Sequence, residues 1–154
     1  MESRLKWVEV APEAYKAQAA VEAYARHAPL EQRLLELVRL RCSQLNHCAY
    51  CIDMHWKDLR ADGETEQRLY GLDAWREAPY YTDRERAAFE WAEAVTLLTK
   101  DFVPDHVYDL ARAHFSEKEL VDLTMAIITI NGWNRLAIGF RTVPGTYRPA
   151  THTT

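Results

Sequence analysis

Between Leu30 and Leu45 the chain reads LEQRLLELVRLRCSQL, with Leu30, Leu34, Leu37, Val38 and Leu45 recurring at spacings of three, four and seven. That is the period of one helical face; a strand, whose faces alternate every second residue, could not bury these side chains together. Similar apolar patterns return in AAFEWAEAVTLLT and in LVDLTMAIITINGWNRLAIGF. Each follows a capping box, Thr82-Asp-Arg-Glu85 and Ser116-Glu-Lys-Glu119, in which a hydroxyl and a carboxylate satisfy backbone N–H groups that a helix start leaves unpaired. AIITI alone would pass for a strand, and it lies inside a longer helical pattern. The sequence therefore predicts an all-α fold.

Boundaries follow from local chemistry. A helix is expected from Ala14 to about His27, and a second opens at Pro29, a favoured first-turn residue. Asn46 is placed to cap a third, which runs to about Arg60 and stops at Asp62-Gly63. A short helix over Glu64 to Tyr70 and a turn around Asp73 to Arg76 come next, and Pro104 opens DHVYDLARAHF. The expected organisation is one helical domain over residues 1–142 and an extended, mobile C-terminal tail over 143–154.

A chain of 154 residues can bury a core without metal or disulfide staples. Its net charge of -4 offers no basic stripe for a nucleic acid, and no stretch approaches the roughly 20 apolar residues of a membrane span. The N-terminal MESRLKWVEV lacks a signal-peptide core, so a cytoplasmic location is expected. Three cysteines, an odd count in such a compartment, argue against a static crosslink.

Chemistry concentrates in NHCAYCIDMHWKDLR, residues 46–60. On a helix turning about 100° per residue, positions 48, 51 and 55 fall within about 60° of one another, so Cys48, Cys51 and His55 share a face. Cys51 and His55 are an i, i+4 pair, close enough for the imidazole to take the thiol proton. Cys48, in the first turn after an Asn46 cap, would have its thiolate favoured by the helix dipole. The dipole thus favours Cys48 as nucleophile and the histidine favours Cys51, and spacing leaves both open. Zinc held by Cys48, Cys51 and His55, with Cys42 as a fourth ligand, is weakened by the scatter of the other histidines and by a helical CxxC.

Glu36, the pair Cys48-Ala-Tyr-Cys51 twelve positions later, His55 and the following KDLRADGE resemble the alkylhydroperoxidase D family of the carboxymuconolactone decarboxylase superfamily. TDRERAAFEWAEAVT and INGWNRLAIGFR are similar to its single-domain branch, so the likeness spans roughly residues 30 to 142. The resemblance implies an all-α fold assembled as homotrimers or homohexamers, without cofactor or metal. It implies reduction of hydroperoxides at the expense of a dithiol, such as a dihydrolipoyl group, in antioxidant defence. In family terms Cys51 is the peroxidatic thiolate, Cys48 the resolving thiol, and His55 with Glu36 a proton relay. The family's founding member has histidine where this chain has Tyr50, a poor proton carrier at neutral pH, which implies weaker turnover. Competing readings are a redox sensor or oligomeric binding protein with little turnover, and a decarboxylase like the superfamily's namesake.

Other residues have plainer readings beside functional ones. Cys42 serves as a small core residue, and His47 as an exposed first-turn residue or a tuner of the thiolate. Trp133, Asn134 and Arg135 suit helix packing or a subunit contact ahead of substrate binding. Trp75, Tyr80, Tyr81, Phe89 and Trp91 suit a core, or else an apolar entrance for organic hydroperoxides.

Overall fold

The computed structural model describes residues 1–150, and among these every regular element is helical. The elements are α1 (Trp7–Val10), α2 (Pro12–Arg26), α3 (Gln32–Leu45), α4 (Ala49–Ala61), α5 (Glu66–Tyr70), α6 (Asp83–Thr96), α7 (Leu98–Asp101), α8 (Asp105–His114) and α9 (Glu117–Phe140). A single 3₁₀ turn, Gly71–Ala74, follows α5. Both predicted capping boxes are present, Thr82 with Glu85 and Ser116 with Glu119. The short α1 and α7 carry too few apolar positions to declare a period and were not foreseen.

α3 is the axis of the fold. It packs against α4, α6 and α9, while α2 lies along α9 and α8 against α6. Every residue from Leu34 to Ser43 is buried, including the charged Glu36, Arg39 and Arg41. A buried charge persists only with a partner. Arg41 meets Glu93 at 2.9 Å and Asp73 at 2.5 Å, and Arg39 belongs to the site described below. The apolar stripe read from the sequence thus understates burial, because α3 has neighbours on several sides.

Two expected helix starts move. The second helix begins at Gln32 instead of Pro29: the Leu30 N–H donates to the Ala28 carbonyl at 2.8 Å, and the turn delivers Leu30 into the core before the helix starts. Asn46 does not cap α4 but ends α3. His47 then adopts φ 56°, donating its N–H to the Gln44 carbonyl at 3.0 Å while the Cys48 N–H donates to Ser43 at 2.9 Å. This is a Schellman closure of α3 with a non-glycine residue in the left-handed position. Cys48 becomes the N-cap of α4 and Cys51 its third residue.

The Asn46 amide instead crosses to α9, donating to Asn131 Oδ1 and Asn134 Oδ1, each at 2.9 Å. Asn134 donates in turn to Ser43 Oγ at 3.1 Å. The α3–α4 turn is therefore tied to α9 by side-chain amides, which accounts for the polar Asn134 in an apolar helix.

Beyond α9 the chain runs without helix or strand to Ala150, and residues 151–154 of the expected tail lie outside the described residues. The described part is held to α4. Gly145 N donates to Asp53 at 3.1 Å, Lys57 Nζ donates to the Tyr147 carbonyl at 3.3 Å, and the Tyr147 hydroxyl donates to Asp58 Oδ1 at 2.7 Å. No helix among the described residues is long and apolar enough to cross a membrane.

Candidate active site

Cys48 and Cys51 are joined by a disulfide, with their Cα atoms 5.3 Å apart, so the two sulfurs need no backbone movement to bond. Both are buried at the start of α4. The shift of the cap to Cys48 bears on the electrostatics. Ala49, Tyr50 and Cys51 are the first three helical residues, whose N–H groups lack intrahelical acceptors and favour an anion. Cys51 thus lies in the first turn and is also four residues before His55. The dipole favours a thiolate at Cys48, the N-cap, as well as at Cys51, and only Cys51 also stands four residues before His55.

His55 is buried, and its Nδ1 lies 2.8 Å from Glu36 Oε2 on α3. Burial alone would raise the Glu36 carboxyl, but the His55 hydrogen bond, its charge and the Arg39 guanidinium prevail and hold it down to about 2. The carboxylate can only accept, so Nδ1 carries the proton of the neutral ring and Nε2 its lone pair. Nε2 is buried and finds no hydrogen-bond partner among the described residues.

A cavity of about 470 Å³ opens on this pair. Cys51 and His55 are among its lining residues; Cys48 and Glu36 are not. Its apolar wall includes Trp7, Tyr15, Tyr50 and Trp133. The rings of Tyr15 and Trp133 lie 5.8 Å apart and those of Trp7 and Trp133 6.2 Å, with Trp133 Nε1 donating to Glu22 Oε2 at 3.2 Å. Trp133 therefore both packs on the N-terminal helices and lines the candidate substrate space, so the less favoured of its two readings also holds a place. The other aromatic group takes the core reading, ahead of that of an entrance: Trp75, Tyr81, Phe89 and Trp91 are core residues, and none of them, nor Tyr80, lines the cavity. Phe89 draws this group inward, with Tyr81 at 5.3 Å and Trp75 at 5.7 Å.

Arg39, which sequence reasoning left as a polar face residue, joins the site. Its Nη1 donates to Glu36 Oε1 at 2.6 Å and its Nη2 lies 3.1 Å from Glu22 Oε1 on α2. The i, i+3 spacing of Glu36 and Arg39 was the available signal. Asp58 was also missed, although it follows His55 by three positions. Glu36, His55 and Asp58 each offer a ligand atom within 4.8 Å of the others. A cation there would have to displace the bonds that Arg39 and His55 make to Glu36. Cys42 stands apart: its sulfur accepts from Thr96 Oγ1 at 3.4 Å, and burial pushes its thiol up to about 12, an inert core residue.

Helices arranged in this way around a CxxC turn define a class. Residues 12–94 match the profile of the Carboxymuconolactone decarboxylase family, and the chain belongs to that family. Within it the chain is AhpD-like. The crystal structure of ATU0492 from Agrobacterium tumefaciens, a protein of unknown function assigned to antioxidant defence as AhpD, superposes with a TM-score of 0.91 at 43% identity, covering 95% of this chain and 100% of that one. The uncharacterized protein YdfG of Bacillus subtilis is 44% identical over 138 residues, 90% of this chain and 94% of YdfG. A peroxidase-related protein from Ralstonia eutropha with an alkylhydroperoxidase AhpD core shares the fold at a TM-score of 0.78 and 20% identity, covering 90% of this chain and 74% of that one.

Proposed function

We propose that this protein is a thiol-dependent peroxidase that reduces organic hydroperoxides at the Cys48–Cys51 pair, as part of antioxidant defence in the cytoplasm. The observation that carries the reading is the cavity: it is lined by one cysteine of the pair, Cys51, together with the histidine able to take its proton. An apolar, aromatic wall suits an organic hydroperoxide, whose carbon portion needs burial.

In the reduced protein His55 Nε2 accepts the Cys51 proton, while Glu36 holds Nδ1 and fixes the ring. The Cys51 thiolate attacks the terminal peroxide oxygen, the O–O bond breaks, and the departing alkoxide takes the proton from His55 to leave as an alcohol. Cys51 is then a sulfenic acid. The Cys48 sulfur attacks it, water leaves, and the disulfide closes. An external dithiol, with a dihydrolipoyl group the favoured candidate, returns two electrons and two protons by thiol–disulfide exchange. Association into a homotrimer or homohexamer belongs to the same proposal.

One equivalent of cumene hydroperoxide added to reduced protein should give, by mass spectrometry of peptides, a Cys48–Cys51 disulfide with Cys42 still free. Cys51→Ser should consume no peroxide, and Cys48→Ser should stop at a sulfenic acid trapped by a 1,3-dione. Peroxide consumption at the normal rate by Cys51→Ser would sink the mechanism.

A further inference from the structure

The negative charge of Glu36 is not directed at His55 alone. Its second oxygen is held by Arg39 at 2.6 Å, and the neighbouring Glu22 is shared between Arg39 at 3.1 Å and Arg26 at 2.8 Å. From α2 and α3, then, two carboxylates and two guanidiniums approach the relay, and their charges cancel. On α4 the cavity-facing Tyr50 is a neutral phenol, and Lys57 is paired with Asp53 at 2.7 Å. The segment after α9, a strap across α4, contributes the Tyr147 phenol and the Arg148 guanidinium, which donates to the Gly145 and Tyr147 carbonyls and acts on Asp53. Asp58 is the carboxylate of this group that enters no ion pair among the described residues. Its carboxylate comes within 4.8 Å of both the Glu36 and His55 ligand atoms and receives the Tyr147 hydroxyl at 2.7 Å.

We propose that Asp58, clamped by Tyr147 of the C-terminal strap, is a positioning residue of the thiol site, supplying a negative charge beside His55 that helps it hold the proton of Cys51. The proposal rests on the peroxidase reading for its purpose, but the geometry behind it is separate. Moving a proton from Cys51 to His55 creates a thiolate and an imidazolium, and a carboxylate helps only if it is nearer the second than the first. Asp58 stands seven positions beyond Cys51 on α4, roughly 10 Å of rise at about 1.5 Å per residue, whereas His55 is about one turn away. Asp58 therefore stabilises the imidazolium more than it repels the thiolate.

Tyr147 keeps that charge in place. Burial and the Glu36 carboxylate raise the Asp58 carboxyl, and the phenol's hydrogen bond opposes them by favouring the ionised form. The phenol itself is pushed above its usual range by burial and by Asp58, so it stays a donor. Its main chain is fixed independently, through Lys57 to the Tyr147 and Gly145 carbonyls and through Asp53 to the Gly145 N–H.

The test is the pH dependence of Cys51 alkylation by iodoacetamide in full-length protein reduced with a phosphine, followed by peptide mass spectrometry. This readout needs no peroxide, so a failed peroxidase reading would appear separately, as wild type that alkylates normally and consumes no hydroperoxide. Asp58→Asn should move the alkylation midpoint up by about one pH unit, slowing Cys51 roughly tenfold below the midpoint. Tyr147→Phe, a change on the outer strap that leaves the helices intact, should move it the same way by less, roughly threefold in rate. In the Asp58→Asn background Tyr147→Phe should add nothing, because it acts through Asp58. An unmoved midpoint in Asp58→Asn, or a Tyr147→Phe effect as large without Asp58 as with it, would overturn the proposal.

Discussion

At Glu36 a single buried carboxylate joins two requirements, orienting His55 and neutralising Arg39, whose own side chain is 1% exposed. Its folded-state value of about 2 lies below its ordinary 4.5. A depressed carboxylate contributes stability that is fully present above the ordinary value and is lost as pH falls through the folded one. Glu36→Gln, which keeps the shape and removes the charge, should cost about 3 kcal/mol in urea denaturation at pH 7 by leaving Arg39 without its main counter-charge. The gap to wild type should close as pH is lowered from about 4.5 toward 2. An undiminished gap at pH 2.5 would show that the carboxylate's charge is not what is missed. Glu36 could be named from the sequence through the family likeness alone. Its partner Arg39 could not, because a charge between leucines on a helix reads as solvent-facing until the neighbours of α3 are known.

The turn from α3 to α4 sets both cysteines at the start of a helix, Cys48 as N-cap and Cys51 in the first turn. Asparagine before a CxxC looks like an N-cap by residue preference, yet Asn46 closes the preceding helix and sends its amide to α9. Tertiary partners on α9, some 85 residues away in sequence, outweigh a local preference worth about 1 kcal/mol. The capping boxes at Thr82 and Ser116 were legible for the opposite reason, since both halves of each motif lie within four residues. His47 bears the conformational cost of the closure. His47→Gly should stabilise the protein by about 0.5–1 kcal/mol, and His47→Val should destabilise it by about 1–2 kcal/mol, because a β-branched side chain resists positive φ. Denaturation midpoints moving in the same direction for both would contradict the assigned strain.

Across the whole molecule, α3 and α4 carry the candidate site residues, α2 and α9 enclose the cavity, and the segment after α9 returns to α4. The helical class could be read from periodicity and the shared face of Cys48, Cys51 and His55 from their spacing, whereas Glu36 entered only through the family likeness. The cavity could not, since Trp7 and Trp133 stand 126 positions apart and meet only through packing of the N-terminal segment on α9. The strap was equally hidden: RTVPGTYRPA has the composition of a free tail, and its attachment depends on single polar contacts to Asp53, Lys57 and Asp58.

The most direct measurement of the central claim is steady-state reduction of cumene hydroperoxide with a panel of dithiol donors, dihydrolipoamide included, for wild type, Cys48→Ser and Cys51→Ser. Wild type should turn over steadily with at least one dithiol, and neither variant should do so with that donor. A wild-type protein that oxidises once and is re-reduced by no dithiol would contradict it in favour of a sensor. Turnover that survives loss of both motif cysteines would remove the thiol chemistry altogether.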